Sequence, residues 1–143
     1  MGIIRATWVK TEVTEWIADK SSNMDTQIGY LVQNILNIYA AVAEVLAPYR
    51  SGFLRDSFVV TQSGLEGVLY NTAEYFIFVI FGTRPHPIEP VNGLALYWPG
   101  AWYPVRRVWH PGTQANDFLA DVIPSSEAGV DSEVDKVLSW LAA

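Results

Sequence analysis

The chain has 143 residues, which is enough for one domain with a hydrophobic core but short for two. Half of the residues are apolar and 13% are aromatic, whereas only 17% are charged, so the composition favours a surface partly covered by other subunits. The net charge is −6 and there is no basic run, which argues against binding to the phosphate backbone of a nucleic acid. With no cysteine, disulfides and thiolate chemistry are excluded.

The first 48 residues predict a short strand followed by helices. Residues 3–9 are rich in β-branched and aromatic side chains and predict a short strand. Residues 12–20 predict a short helix that ends at the polar segment 21–23, and residues 24–47 predict a long amphipathic helix that ends at Pro48. The longest mostly apolar stretch, residues 35–46, is too short and too interrupted to predict a membrane span, so no membrane contact is expected.

The long predicted helix has an unusual second face. Gln33 and Asn37 lie on it, and its other members are small or uncharged, whereas a solvent-facing helix usually carries pairs of opposite charges. We therefore expect a neighbouring subunit to cover this face and to contact Gln33 and Asn37.

The second half predicts short strands and helices. Residues 57–62 and 68–70 predict a hairpin around a glycine-rich turn. Residues 73–81 are compatible with either a buried strand or a buried helix. Residues 94–98 and 102–109 predict strands, residues 116–122 a short helix, residues 124–129 a linker, and residues 131–141 an amphipathic C-terminal helix. The prediction is a single α+β domain, with one long helix packed on a small antiparallel sheet.

A proline-rich segment follows the apolar run that ends at Gly82. Pro85, Pro87 and Pro90 fix the backbone and favour extended geometry in the residues before them. Such a segment fits either a rigid edge connection whose side chains cap neighbouring carbonyls or a docking element that loses little entropy on binding. A similar turn follows His110. We predict subunit or partner contacts for Thr83, Arg84, Pro85, His86, His110 and Thr113.

Catalytic and metal sites receive little support from the sequence. His86 and His110, with Glu89 or Asp117, form an incomplete metal-ligand set without a recognised spacing. A hydrolase triad of Ser57, Asp56 and one of the two histidines lacks the strand–turn–helix motif of a nucleophile. No motif predicts a cofactor.

Arg55 is the remaining candidate. It can bind a phosphate, but pairing with a carboxylate of Asp56, Glu74 or a partner is the better prediction, so it joins the predicted contact residues.

The order of several motifs resembles a known family. These are Ser-Gly-Phe-Leu-Arg-Asp-Ser at residues 51–57, Phe-Gly-Thr-Arg-Pro-His-Pro-Ile-Glu-Pro at 81–90, Trp-His-Pro-Gly-Thr at 109–113, and Phe-Leu at 118–119. Together they resemble the tail-completion, or neck, proteins of long-tailed, lambda-like bacteriophages over residues 35–122. The chain departs from the usual pattern at Ile80, Gln114 and Asp117.

The resemblance implies a structural virion protein rather than an enzyme. It implies an α+β subunit that forms a ring, a hexamer, at the head–tail junction and joins the tail tube or terminator to the head connector or stopper. DNA would pass through this ring without specific binding, and the ring would assemble in the host cytoplasm. Another neck or tail ring, such as the tail terminator or a stopper, and a small hydrolase using His86 and His110 remain the alternatives.

Overall fold

A computed structural model describes the backbone of residues 7–143 and the side chains of residues 15 and 18–143. The elements follow the order α1 (Thr7–Leu46), α2 (Phe53–Asp56), β1 (Phe58–Ser63), β2 (Glu66–Asn71), α3 (Phe76–Phe81), β3 (His86–Ile88), β4 (Val108–His110), a 3₁₀ helix (Phe118–Asp121) and α4 (Val122–Ala142). The strands form two separate two-stranded antiparallel sheets, β1–β2 and β3–β4. The α+β prediction is confirmed.

Helix α1 is one continuous helix of 40 residues, about 60 Å long. The predicted strand at 3–9 is wrong for residues 7–9, which are helical, while residues 3–6 lie outside the described part of the chain. The predicted break at 21–23 is also wrong. Ser22 Oγ and Asn23 Nδ2 donate hydrogen bonds to the Asp19 carbonyl at 2.9 and 3.0 Å, so these polar side chains are satisfied within the helix.

The segment Ala18–Leu46 of α1 is long and apolar enough to cross a membrane, contrary to the sequence prediction. Core helices of proteins outside membranes pass the same test of length and composition. One side of α1 packs against α4 and the β1–β2 hairpin, while only 6% of its most apolar stretch is buried within the subunit.

Helix α4 runs antiparallel to α1. Lys20 Nζ donates to the Trp140 carbonyl at 2.9 Å, and Asn34 Nδ2 donates to Glu133 Oε2 at 2.8 Å. The predicted linker at 124–129 is helical and forms the start of α4. Pro124 costs little there, because the first turn of a helix needs no N–H donor. Gly129 allows close approach, since a Cβ at this position would lie 3.3 Å from Ile38 Cγ2.

The core lies where α1 ends. Its buried apolar residues are Ala47, Leu54, Ala73, Ile80 and Phe118. Phe58, Phe76 and Phe118 form a triangle of edge-to-face contacts, with ring centroids 6.1–6.4 Å apart. Residues 73–81, for which strand and helix were both open, contain helix α3, whose inward residues recur at helical spacing. This core fixes the start of the segment that follows Gly82.

Candidate subunit interface

Two threonines hold the base of a projecting two-stranded arm, residues 83–113, which we call the aromatic arm. Thr83 and Thr113 exchange backbone hydrogen bonds of 3.0 and 3.2 Å, and their Oγ1 atoms are 3.0 Å apart. Both neighbouring glycines, Gly82 and Gly112, have positive φ values of 68° and 88°. A Cβ on Gly82 would collide with the Thr113 carbonyl, and one on Gly112 with the Thr83 carbonyl. The crossing therefore requires glycine at both positions.

The two histidines meet just beyond this crossing. His86 and His110 are direct partners in the β3–β4 register, and their rings stack with centroids 5.2 Å apart. His86 Nδ1 lies 2.8 Å from the Arg84 carbonyl, and His110 Nδ1 accepts the Gly112 N–H at 3.0 Å. Each histidine thus stabilises the turn next to it, as in the edge-connection interpretation.

The rest of the arm is loosely structured. The predicted strand at 94–98 is reduced to a bridge between Leu96 and Val105, and the one at 102–109 to β4 and that bridge. An exposed ion pair joins Arg107 and Glu89 at 3.2 Å. Within the described residues, β3 and β4 pack extensively only on each other. The arm therefore projects from the core instead of covering it.

The arm tip, residues 91–105, exposes large apolar side chains. Val91 is 93% exposed, Leu94 95% and Trp102 97%, while Tyr97 and Tyr103 are also mostly exposed. The sequence indicated that some aromatic residues lie at an interface, but it did not identify these. The sequence feature that could have identified them is the run of aromatic and apolar residues, without a charge, between Glu89 and Arg106.

An open groove of about 750 Å³, which we call the basal groove, lies beside the base of the arm. One wall is the loop 48–52, the second is α3 and the residue before it (Tyr75, Phe78 and Val79), and the third is the arm base. Tyr49 and Phe78 are more than half exposed at its rim. The arrangement offers a largely apolar surface for a partner and has the size of a small-molecule site.

The structure brings together four of the predicted contact residues. Thr83, His86, His110 and Thr113 line the basal groove, and Arg84 and Pro85 are exposed beside it. Gln33 and Asn37 lie apart from them on α1, where Gln33 Nε2 donates to Asn37 Oδ1 at 3.0 Å. The predicted interface thus divides into two separate surfaces.

Arg55 contacts backbone carbonyls of its own chain, whereas the sequence predicted a pairing with a carboxylate. Its Nε donates to the Ala47 carbonyl at 3.0 Å, its Nη2 lies 3.4 Å from the Val45 carbonyl, and its guanidinium stands over the Tyr49 ring. In the described part of the chain it pairs with neither Asp56 nor Glu74. Arg55 therefore caps the C-terminus of α1 and supports one wall of the groove.

The alternative chemical sites are not assembled by the described residues. Ser57 is buried and its Oγ donates to the Phe53 carbonyl at 2.5 Å, so it is not hydrogen-bonded to either histidine. Among residues whose side chains are described, no group of three or more histidine, aspartate and glutamate side chains is placed to hold a metal ion. His86 and His110 lie side by side, and the consequence of their closeness is the turn geometry.

Fold and site together describe a subunit with a small core, an uncovered apolar arm and an apolar groove, which is the profile of an assembly protein. Residues 15–82 match the family model HK97-gp10_like, described as "Bacteriophage HK97-gp10, putative tail-component". This match covers just under half of the chain, ends where the arm begins, and supports a phage tail-related protein with a structural role in the virion. No curated protein and no solved structure matches the chain significantly.

Proposed function

We propose that this chain is a structural virion protein that forms a ring at the junction between the phage head and tail. The match to a phage tail component supports a place in the tail. The observation that carries the assembly role is the uncovered apolar surface of the arm and groove, which an isolated subunit leaves in water.

The total accessible surface of the chain also supports assembly with other subunits. The chain exposes 11122 Å², whereas a compact monomer of its mass, 16.0 kDa, exposes about 7,400 Å². The excess reflects a thin core, a long helix and a projecting arm. Contact with other subunits would cover part of this surface and supply stability that the small core does not.

The charge of the chain suits a passage for DNA. With 15 acidic and nine basic residues, the subunit offers few cations for phosphate contacts. A ring lined by such subunits lets DNA slide through without holding it. We propose that other subunits, and not a membrane, cover the side of α1 that its own chain leaves exposed.

A ring requires two different surfaces on each subunit, because a head-to-tail contact closes only when unlike faces meet. The aromatic arm and the basal groove are two such surfaces. We propose six copies per ring, one face contacting the tail tube or terminator and the other the head connector or stopper. The uncharged face of α1 around Gln33 and Asn37 is a further contact surface.

Deletion of the gene from the phage, with rescue by the same gene in trans, tests this function. We expect full heads and tails of normal length that do not join, and a density map of rescued particles should show the ring at the junction. Joined particles without the protein would contradict the proposal. Tails of irregular length would instead assign the chain to the tail terminator, and leaking heads would assign it to a stopper.

A further inference from the structure

Most large side chains of the arm tip are left uncovered by the described residues. Leu94 and Trp102 retain 95% and 97% of their accessible surface, so neither enters the basal groove of the same subunit. Three rings at the tip, Tyr97, Trp102 and Tyr103, are 68%, 97% and 69% exposed and would remove roughly 350–600 Å² from water when covered. Each partner in a stable protein interface buries about 800 Å². The tip is therefore large enough to form most of one side of an interface.

The basal groove has the complementary properties. It is open, mostly apolar, and about 750 Å³ in volume, which accommodates two or three large side chains. Its rim residues Tyr49, Tyr75 and Phe78 are exposed and extend the apolar surface outward. Because groove and tip lie at opposite ends of the arm, one subunit presents both halves of a contact that it does not make with itself.

Charges beside the two sites allow one complementary pair, although Arg50 lines the groove itself. The arm carries three arginines and one glutamate, although the whole chain is acidic. Arg107 pairs with Glu89, which leaves Arg106, next to the tip, without an ion pair in the described structure. Two carboxylates lie next to lining residues of the groove: Asp56 Oδ2 is beside Gly52, and Glu74 precedes Tyr75. Both carboxylates are exposed, and neither has an ion pair among the described residues.

We propose that the basal groove of one subunit binds the arm tip of a second copy. Trp102 and Leu94 enter the groove between the loop 48–52 and α3, and Arg106 lies against Glu74 at the rim. The contact is head-to-tail, so each copy gives its arm to one neighbour and accepts the arm of the other. This inference rests on the proposed ring and names the surfaces that would build it.

Cysteine cross-linking tests the contact cleanly, because the natural chain contains no cysteine. Ala101→Cys marks the tip without removing Trp102, and Ser51→Cys marks the groove with a small side chain. An oxidised mixture of the two variants should give a disulfide-linked dimer that neither variant gives alone. Ser132→Cys, on the exposed side of α4, replaces Ser51→Cys as the matched control and should give no such dimer.

The outcomes separate the two proposals. If native mass spectrometry shows that the natural chain oligomerises but the mixture gives no cross-link, the arm–groove contact is wrong and self-assembly stands. If the chain remains monomeric at every concentration, both fail. Equal cross-linking with Ser132→Cys, or dimers from Ala101→Cys alone, also overturns the contact. Cross-linking to a tail-tube protein in place of a second copy would assign the groove to that partner and overturn the inference.

A charge exchange gives an independent measurement. Arg106→Glu and Glu74→Arg should each weaken association about tenfold, and the double variant should recover most of the loss, because the pair is restored in reverse. Asp135→Arg is the control, since Asp135 is exposed on α4 and does not line the groove. Losses that add in the double variant would contradict the pairing of Arg106 with Glu74.

Discussion

The rings of His86 and His110 stack across the arm with their planes 30° apart, yet their Nδ1 atoms have opposite hydrogen-bonding roles. A carbonyl only accepts, so His86 Nδ1 must carry the proton that bonds the Arg84 carbonyl. A backbone N–H only donates, so His110 Nδ1 must be unprotonated to accept from Gly112. The two rings therefore hold different tautomers, and each tautomer is set by a backbone group two residues away.

We predict that nitrogen NMR of the imidazoles will show His86 as the Nδ1–H tautomer and His110 as the Nε2–H tautomer. His110→Leu should speed hydrogen exchange of the Gly112 amide, because this N–H loses its acceptor. His86→Leu is the matched control and should leave that amide protected. The same tautomer in both rings would contradict the geometry.

The arm base depends on glycine at position 112. Gly112→Ala combines a positive φ with a collision against the Thr83 carbonyl, whereas Gly100→Ala has a similar φ of 94° and no atom within 4 Å of the added Cβ. We expect a cost of about 1–2 kcal/mol for Gly100→Ala from the backbone alone and a larger one for Gly112→Ala. Hydrogen exchange at the Thr83 and Thr113 amides measures how far each substitution destabilises the arm base. Equal protection in the two variants would show that the crossing tolerates a Cβ.

The elements that sequence patterns predicted well are those whose signals are local. The β1–β2 hairpin has the expected turn, with Gly64 at φ 62°, and the register places Ser63 opposite Glu66. The apolar stripe of the long helix was also visible, because its 3.6-residue period does not depend on a partner.

The elements that were missed depend on tertiary partners. Ser126 lies in the segment predicted as a linker, but it is only 2% exposed and its Oγ donates to the Val122 carbonyl at 2.6 Å. Serine, proline and glycine indicate a linker only when the segment has no neighbouring helix to pack against. Here the segment packs on α1, where Ile38 contacts Gly129. Conversely, aromatic residues at 94–109 indicate strands, yet the tip has no sheet to join and stays irregular.

The core and the arm tip differ in how much their aromatic residues contribute to the stability of the subunit. Phe118 is buried in the aromatic triangle, whereas Trp102 contacts almost nothing in its own chain. Phe118→Ala should lower the free energy of unfolding by about 3–5 kcal/mol, and Trp102→Ala should change it by no more than about 0.5 kcal/mol. Urea denaturation of dilute monomer measures both. A large loss for Trp102→Ala would mean that the tip packs on its own subunit.

Arg55 offers a test of the helix cap. Arg55→Ala removes two hydrogen bonds to carbonyls at the end of α1 and a contact with Tyr49, and we expect a loss of about 1–2 kcal/mol. Arg50→Ala is the control, because Arg50 is exposed and forms no ion pair in the described residues. Urea denaturation again gives the comparison. Equal stability of the two variants would show that the cap contributes nothing.

The contact between α1 and α4 should respond to acid through Glu133. The Lys136 ammonium and the Asn34 amide donate to its carboxylate, and these hydrogen bonds hold the pKa of Glu133 below its ordinary value of 4.5. Because the pKa is lowered by folding, the ionised group stabilises the fold above pH 4.5, and this contribution is lost as the pH falls through the lower folded value. Glu133→Gln and Lys136→Met should both reduce the dependence of stability on pH below 4.5. Carbon NMR titration of the Glu133 carboxyl measures its pKa directly, and a midpoint at or above pH 4.5 would contradict the lowered pKa.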